Sequence, residues 1–140
     1  MEPRFDIPVA EIVSLLARAF AVGDEEQILA LYVFGSAARG ALRADSDIDL
    51  AFLGPRGLDP VVVHDVGTRI ASRLGRDVDL VDLRTASTVL CAEIVGHGQR
   101  LHDANANATA EFEMYALSDY ARLEEERRPV VEAFLAKYRG

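Results

Sequence analysis

The chain has 140 residues, half of them hydrophobic, which suits one domain with one core. Its 15 Lys and Arg stand against 23 Asp and Glu, a net charge of −8, and a surface that negative repels phosphate backbones, which argues against general DNA or RNA binding. The single cysteine, Cys91, excludes an intramolecular disulfide and a cysteine-based zinc site, and no apolar run is long enough to span a membrane.

Met1–Pro8 is mixed and acidic and lacks the basic start and apolar centre of a signal peptide, so the expected location is cytoplasmic. Pro8–Phe20 then sets Val9, Ile12, Val13, Leu15, Leu16 and Phe20 at helical spacing, and Gly23 and Asp24 break it. Ile28–Phe34 is dense in aliphatic and aromatic side chains and predicts a buried strand. Gly35 and Ser36 follow at once, with a short turn of helix through Arg39 and Gly40. Asp47–Leu53 predicts a second strand with a polar start, ended by Gly54, Pro55 and Gly57. Val61–Leu74 predicts a helix with Gly75 as its C-cap, and Val78–Leu83 a third strand carrying or adjoining Asp77, Asp79 and Asp82. Ala86–Val95 predicts a helix and Gln99–His102 a short edge strand. Ala110–Arg128 predicts a helix that Pro129 ends or bends before a last helical stretch, Val130–Tyr138. With no repeat, linker or low-complexity tract, the order predicts an α/β class: a small mixed central sheet flanked by helices. Residues 1–140 form a single domain, with a catalytic core over about 9–103 and a helical C-terminal segment over about 110–138.

Chemistry concentrates in two short stretches. Gly35-Ser36 sits where a buried strand turns into a helix; glycine admits a ligand close to the backbone, and a helix start exposes unpaired N–H groups. Such a turn suits phosphate oxygens, with the Ser36 hydroxyl as an added donor. Asp47 and Asp49 are two apart on a strand, so their side chains share a face, roughly 7 Å apart at the backbone. Carboxylates so placed can share a pair of metal ions about 3.5–4 Å apart. Asp79, on the next strand, offers a third. A Gly-Ser turn alone is usually only a turn, and Asp-x-Asp alone is often a solvated strand end. Both together, in a strand–turn–helix–strand context, point to metal-assisted transfer of a nucleotidyl group.

Gly35-Ser36, Arg39-Gly40 and Ser46-Asp47-Ile48-Asp49-Leu50 resemble the signature of the DNA polymerase β-like nucleotidyltransferase superfamily. Val78-Asp79-Leu80-Val81-Asp82-Leu83 resembles its third-carboxylate strand. Within the superfamily the chain is similar to the minimal nucleotidyltransferases, and most to the MntA-type antitoxins of HEPN/MNT toxin–antitoxin pairs. The resemblance covers most of the chain. It implies the polymerase β-like fold, with Gly35, Ser36 and Arg39 on the triphosphate of ATP. It further implies that Asp47, Asp49 and Asp79 hold Mg²⁺, two ions in all, and that Asp79 is the general base. Alternation turns Asp82 to the face opposite Asp79, which makes it the lesser candidate. Ala37 is a departure, standing where many relatives carry a basic or polar residue.

The implied activity is transfer of AMP from ATP to a tyrosine hydroxyl of a cognate HEPN ribonuclease toxin, in a hetero-oligomer with that toxin and without nucleic acid or membrane. Two alternatives stand beside it. One is a small-molecule nucleotidyltransferase of the aminoglycoside-modifying kind, disfavoured because little follows the catalytic core. The other is an antitoxin that acts by binding alone, disfavoured by the intact motif. His64, His97 and His102 have no metal-ligand spacing and read as structural. Arg39 has an ion pair with a nearby acid as its plainer role. The aromatics Phe112, Tyr115, Tyr120, Phe134 and Tyr138 read either as core or as a partner surface.

Overall fold

Amphipathic spacing and local caps account for most of the elements in the computed structural model, which describes residues 7–20, 27–38 and 47–138. Helix α1, Val9–Ala19, buries Ile12 and Leu16, one turn apart. Strand β1, Ala30–Phe34, is followed directly by the one-turn helix α2, Gly35–Ala38. Strand β2, Ile48–Leu53, leads to helix α3, Pro60–Leu74. The Asp59 side chain caps α3 by accepting from the Val61 N–H at 2.8 Å, Pro60 opens it, and Gly75 closes it in the left-handed region at φ 67°.

Strand β3, Val78–Asp82, precedes helix α4, Thr88–His97, and strand β4, Gln99–Asp103. Helix α4 starts two residues later than expected because Ser87 serves as its N-cap, its hydroxyl accepting from the Leu90 N–H at 3.2 Å. Helix α5 runs over 33 residues, Ala106–Tyr138, about 50 Å at 1.5 Å per residue. The helix does not end at Pro129: the proline lies inside one continuous helix. Proline removes one backbone bond there, yet strong helix formers on both sides, Arg122–Arg128 and Glu132–Lys137, carry the helix through.

The four strands form one mixed sheet in the order β3-β2-β1-β4. Strands β1 and β2 are antiparallel, with Phe34 opposite Asp49, and β2 and β3 are parallel, with Asp49 beside Asp79. Strand β4 lies on the other edge, antiparallel to β1, with Gln99 opposite Val33. Alternation divides the interior into two cores. Leu31, Val33, Ile48, Leu50 and Phe52 pack against α1 and α3, whereas Ala30, Tyr32, Ala51 and Leu53 pack with Cys91 and Ile94 of α4 and Ala116 of α5. Buried on both faces, β1 and β2 read as near-continuous apolar runs, and Asp49 is the one residue of β2 that is not fully buried.

The base of α5 is fastened by polar contacts. Thr109, fully buried, donates to Asp103 at 2.9 Å, and the Tyr32 hydroxyl donates to Glu113 at 3.0 Å. Arg100 donates to the other Glu113 oxygen at 2.8 Å. Beyond Leu123 every described residue of α5 is exposed. Val130, Val131, Phe134, Leu135 and Tyr138 are exposed there, Tyr138 by 76%. The aromatics therefore divide: Phe112 packs on the α4 side of the core, while Tyr115, Phe134 and Tyr138 face outward.

Candidate active site

Strand direction collects the motif residues at one end of the sheet. Strand β1 finishes there, and β2, β3 and β4 all begin there. Read across the sheet, the row is Asp79 on β3, Asp49 on β2, Gly35 after β1, and His97-Gly98 before β4. Three inter-strand spacings make this row about 14 Å wide. Asp47 stands one residue before β2, next to Ile48, whose N–H donates to the Asp77 carbonyl at 2.9 Å.

Asp49 and Gly35 are in intimate contact. Gly35 has φ +66°, a conformation that side chains disfavour, and a Cβ built on it would fall 2.3 Å from the Asp49 Oδ2. Only a bare backbone fits between the carboxylate and the start of α2. Asp49 is half-buried, and burial raises its carboxyl above the ordinary carboxylate value, followed by the charge of Asp79 and then that of Asp47. Asp49 thus feels the charges of both other acids. Asp47 and Asp79 are exposed, Asp49 is recessed between them, and Ser36 is partly buried on α2.

Asp82 has a different employment. It is 4% exposed, and its two oxygens accept from the Leu58 N–H at 2.8 Å and the Arg84 N–H at 2.9 Å. It braces the turn after β3 against the loop before α3. Arg39 and Gly40, with Asp45 and Ser46, lie outside the described residues, as do Gly23 and Asp24.

Two hollows flank the row. A cavity of about 500 Å³ borders β3 and α3, lined by Asp47, Asp77 and Asp79 together with His64 and Thr68. A smaller one, about 240 Å³, is lined by Phe34, Gly35, Glu93, His97 and Gly98. Of the three histidines that read as structural, only His102 has a purely internal contact, its Nε2 lying 3.2 Å from the Ile28 carbonyl oxygen. His64 and His97 line the hollows. Their places depend on which helix packs beside which strand end, and no spacing in the sequence announces that.

Among the described residues, no three His, Cys, Asp or Glu side chains converge into a ready metal cage. Mg²⁺ is ordinarily held by one or two carboxylates, with water and substrate phosphates completing its octahedron. Carboxylates in register, with Asp49 raised by burial and then by its acidic neighbours, are a donor set that fits such an ion.

A family model described as polymerase beta, nucleotidyltransferase matches residues 20–107, a span that holds every strand of the sheet and the whole row. The chain belongs to this nucleotidyltransferase family. It is 38% identical over 106 residues to the protein adenylyltransferase MntA of Shewanella oneidensis, with 76% of each chain covered. Its fold is similar to that in a crystal structure of a toxin–antitoxin with AMP-PNP: TM-score 0.77 and 32% identity, over 92% of this chain and 99% of that one. A structure of a tri-AMPylated Shewanella oneidensis HEPN toxin in complex with its MNT antitoxin also matches, with TM-score 0.71 and 32% identity, over 90% of this chain and 94% of that one. Residues up to 107 are too few to make up these shares, so the likeness extends into α5. The fold expected from the motif, a polymerase β-like nucleotidyltransferase with a helical C-terminal segment, is therefore the fold found. Among the described residues, no helix is long and apolar enough to cross a membrane.

Proposed function

We propose that the chain is a protein adenylyltransferase antitoxin, which transfers AMP from ATP to a tyrosine hydroxyl of a cognate HEPN ribonuclease toxin and so silences it. The observation that carries this is the Asp49–Asp79 pair, in register beside the bare backbone of Gly35. The 38% identity to a protein adenylyltransferase and the fold likeness to toxin–antitoxin structures support the choice of acceptor class.

In this reading Gly35 and Ser36 take the β- and γ-phosphates, with Arg39 as a further phosphate contact. Asp47, Asp49 and Asp79 would hold Mg²⁺, two ions, whose positive charge would offset the negative charge of the triphosphate. The acceptor oxygen attacks the α-phosphorus, a new P–O bond forms, and the bond from the α-phosphorus to the bridging oxygen of the β-phosphate breaks. Pyrophosphate leaves with that electron pair. A tyrosine hydroxyl has an ordinary pKa near 10, so it needs a base. Asp79 accepts the proton, because it is exposed at the outer strand of the row, where a bulky acceptor can reach it. Asp49, recessed against Gly35, is the better placed to hold the donor side.

Docking falls to the end of α5. Its stripe of Val130, Val131, Phe134, Leu135 and Tyr138 is uncovered in the single chain, and a surface that binds the acceptor protein lowers the entropic cost of bringing the hydroxyl in line. Residues 9–103 are then the catalytic core and residues 110–138 the segment that holds the partner.

The test uses ATP labelled at the α- or the γ-phosphorus, Mg²⁺, and a cognate HEPN-family toxin as the acceptor. Label from the α-position alone is expected on the acceptor, and Asp49→Asn removes it. Label from the γ-position would mean kinase chemistry and overturn the reading.

A further inference from the structure

The smaller hollow is built by more than chance proximity. Gly98 ends α4, and its N–H donates to the Ile94 carbonyl at 2.8 Å. A Cβ on Gly98 would fall 2.5 Å from the Ile94 oxygen and 3.1 Å from the Val33 oxygen, so only glycine lets the end of α4 approach β1 this closely. Gln99 then pairs with Val33. His97 is thereby held beside the end of β1, sharing with Gly35 a cavity of about 240 Å³. Whole-ligand sites usually run about 300–1,000 Å³, so this one suits part of a ligand.

The order of the row says which part. An in-line displacement sets acceptor oxygen, phosphorus and leaving oxygen on one axis. Asp79 lies at one end of the row, Asp49 in the middle, and Gly35 with His97 at the other. If the acceptor is deprotonated at Asp79, the leaving pyrophosphate departs toward Gly35 and His97. Of the described side chains lining the cavity, His97 alone carries an N–H; Phe34 has none, and Glu93 is an acceptor only. As an anion, Glu93 disfavours phosphate at its own end of the cavity, which leaves the Gly35–His97 end.

We infer that His97 is a further donor-binding residue: its imidazole N–H hydrogen-bonds the terminal phosphates of the nucleoside triphosphate and the pyrophosphate that departs. This rests on the adenylyltransferase reading for the polarity of the row. It also gives the site a phosphate contact that Ala37 does not supply.

Calorimetry on the full chain in Mg²⁺ separates the possibilities without needing an acceptor. The probes are AMP-PNP, inorganic pyrophosphate and AMP. His97→Ala is expected to weaken AMP-PNP and pyrophosphate about tenfold and to leave AMP within about twofold, because AMP lacks the terminal phosphates. His97→Gln, which restores an N–H, is expected to recover most of the loss. His97 is exposed on the last turn of α4, so a matching thermal melt is expected for both variants. Unchanged AMP-PNP binding in His97→Ala, or equal weakening of AMP and AMP-PNP, would overturn the inference. Failure of the unsubstituted chain to bind AMP-PNP would instead sink the adenylyltransferase reading.

Discussion

Burial first, then the charges of Asp79 and Asp47, disfavour the charged form of Asp49. Asp49→Asn is therefore expected to abolish transfer and yet raise the melting temperature of the metal-free protein. Asp47→Asn should also abolish transfer with the circular dichroism spectrum unchanged. Either folded variant keeping near-normal activity in Mg²⁺ would show that the acids have been given the wrong role. Asp79→Asn should lose turnover far more than ATP binding, because proton removal matters mainly in the transition state. Asp82→Asn should do the reverse of Asp49→Asn: it keeps the site but loses one of two buried backbone bonds, and stability falls by about 2 kcal/mol in a urea titration. Identity and spacing made Gly35, Ser36, Asp47, Asp49 and Asp79 legible in the sequence as candidates, and the fold sets Gly35 against Asp49 and Asp49 beside Asp79. The bracing role of Asp82 was not, because it depends on a loop 24 residues away that brings Leu58 within reach. The wall position of His97 was hidden for the same reason, since α4 had first to be set against β1.

Helix α5 joins the catalytic body through Tyr32, Glu113 and Arg100, and leaves it past Leu123. The Tyr32 hydroxyl is pushed well above the usual phenol range, by burial first and then by its hydrogen bond to Glu113 and that group's charge. The folded state thus grips this proton more tightly than the unfolded chain. Its stabilisation is complete below about pH 10, the ordinary phenol value, and is lost progressively as pH rises from there toward the higher folded value. Tyr32→Phe is expected to cost about 1–2 kcal/mol at pH 7, with the gap from the native chain narrowing above about pH 10. A constant gap across that range would exclude Tyr32 ionisation. Truncation after Arg128 addresses the other end. Those residues cover nothing in the single chain, so stability should change by no more than about 0.5 kcal/mol while capture and modification of the partner collapse. Aggregation of the truncated chain would mean that the stripe is core after all. Periodicity located every helix and strand described here to within a few residues. It did not show that the helix continues past Pro129, where a long run of strong helix formers carries it on, and it left the aromatics of α5 undecided. Both a core face and an exposed apolar face repeat at helical spacing, and only the burial along the helix separates them.

At the scale of the whole molecule, a net charge of −8 and a sheet end lined with carboxylates favour a metal-bound nucleotide and a protein acceptor over a nucleic acid. The sheet sets Asp79, Asp49, Gly35 and His97 in a row, and the far end of α5 carries an uncovered apolar stripe. The central claim is that these parts together place AMP on a partner protein. The most direct test is the intact mass of a cognate HEPN-family toxin after co-expression with the native chain and with Asp49→Asn. The account predicts that the partner gains one or more whole AMP units with the native chain and none with the variant. A partner that is neutralised by the native chain while its mass stays unmodified would contradict it.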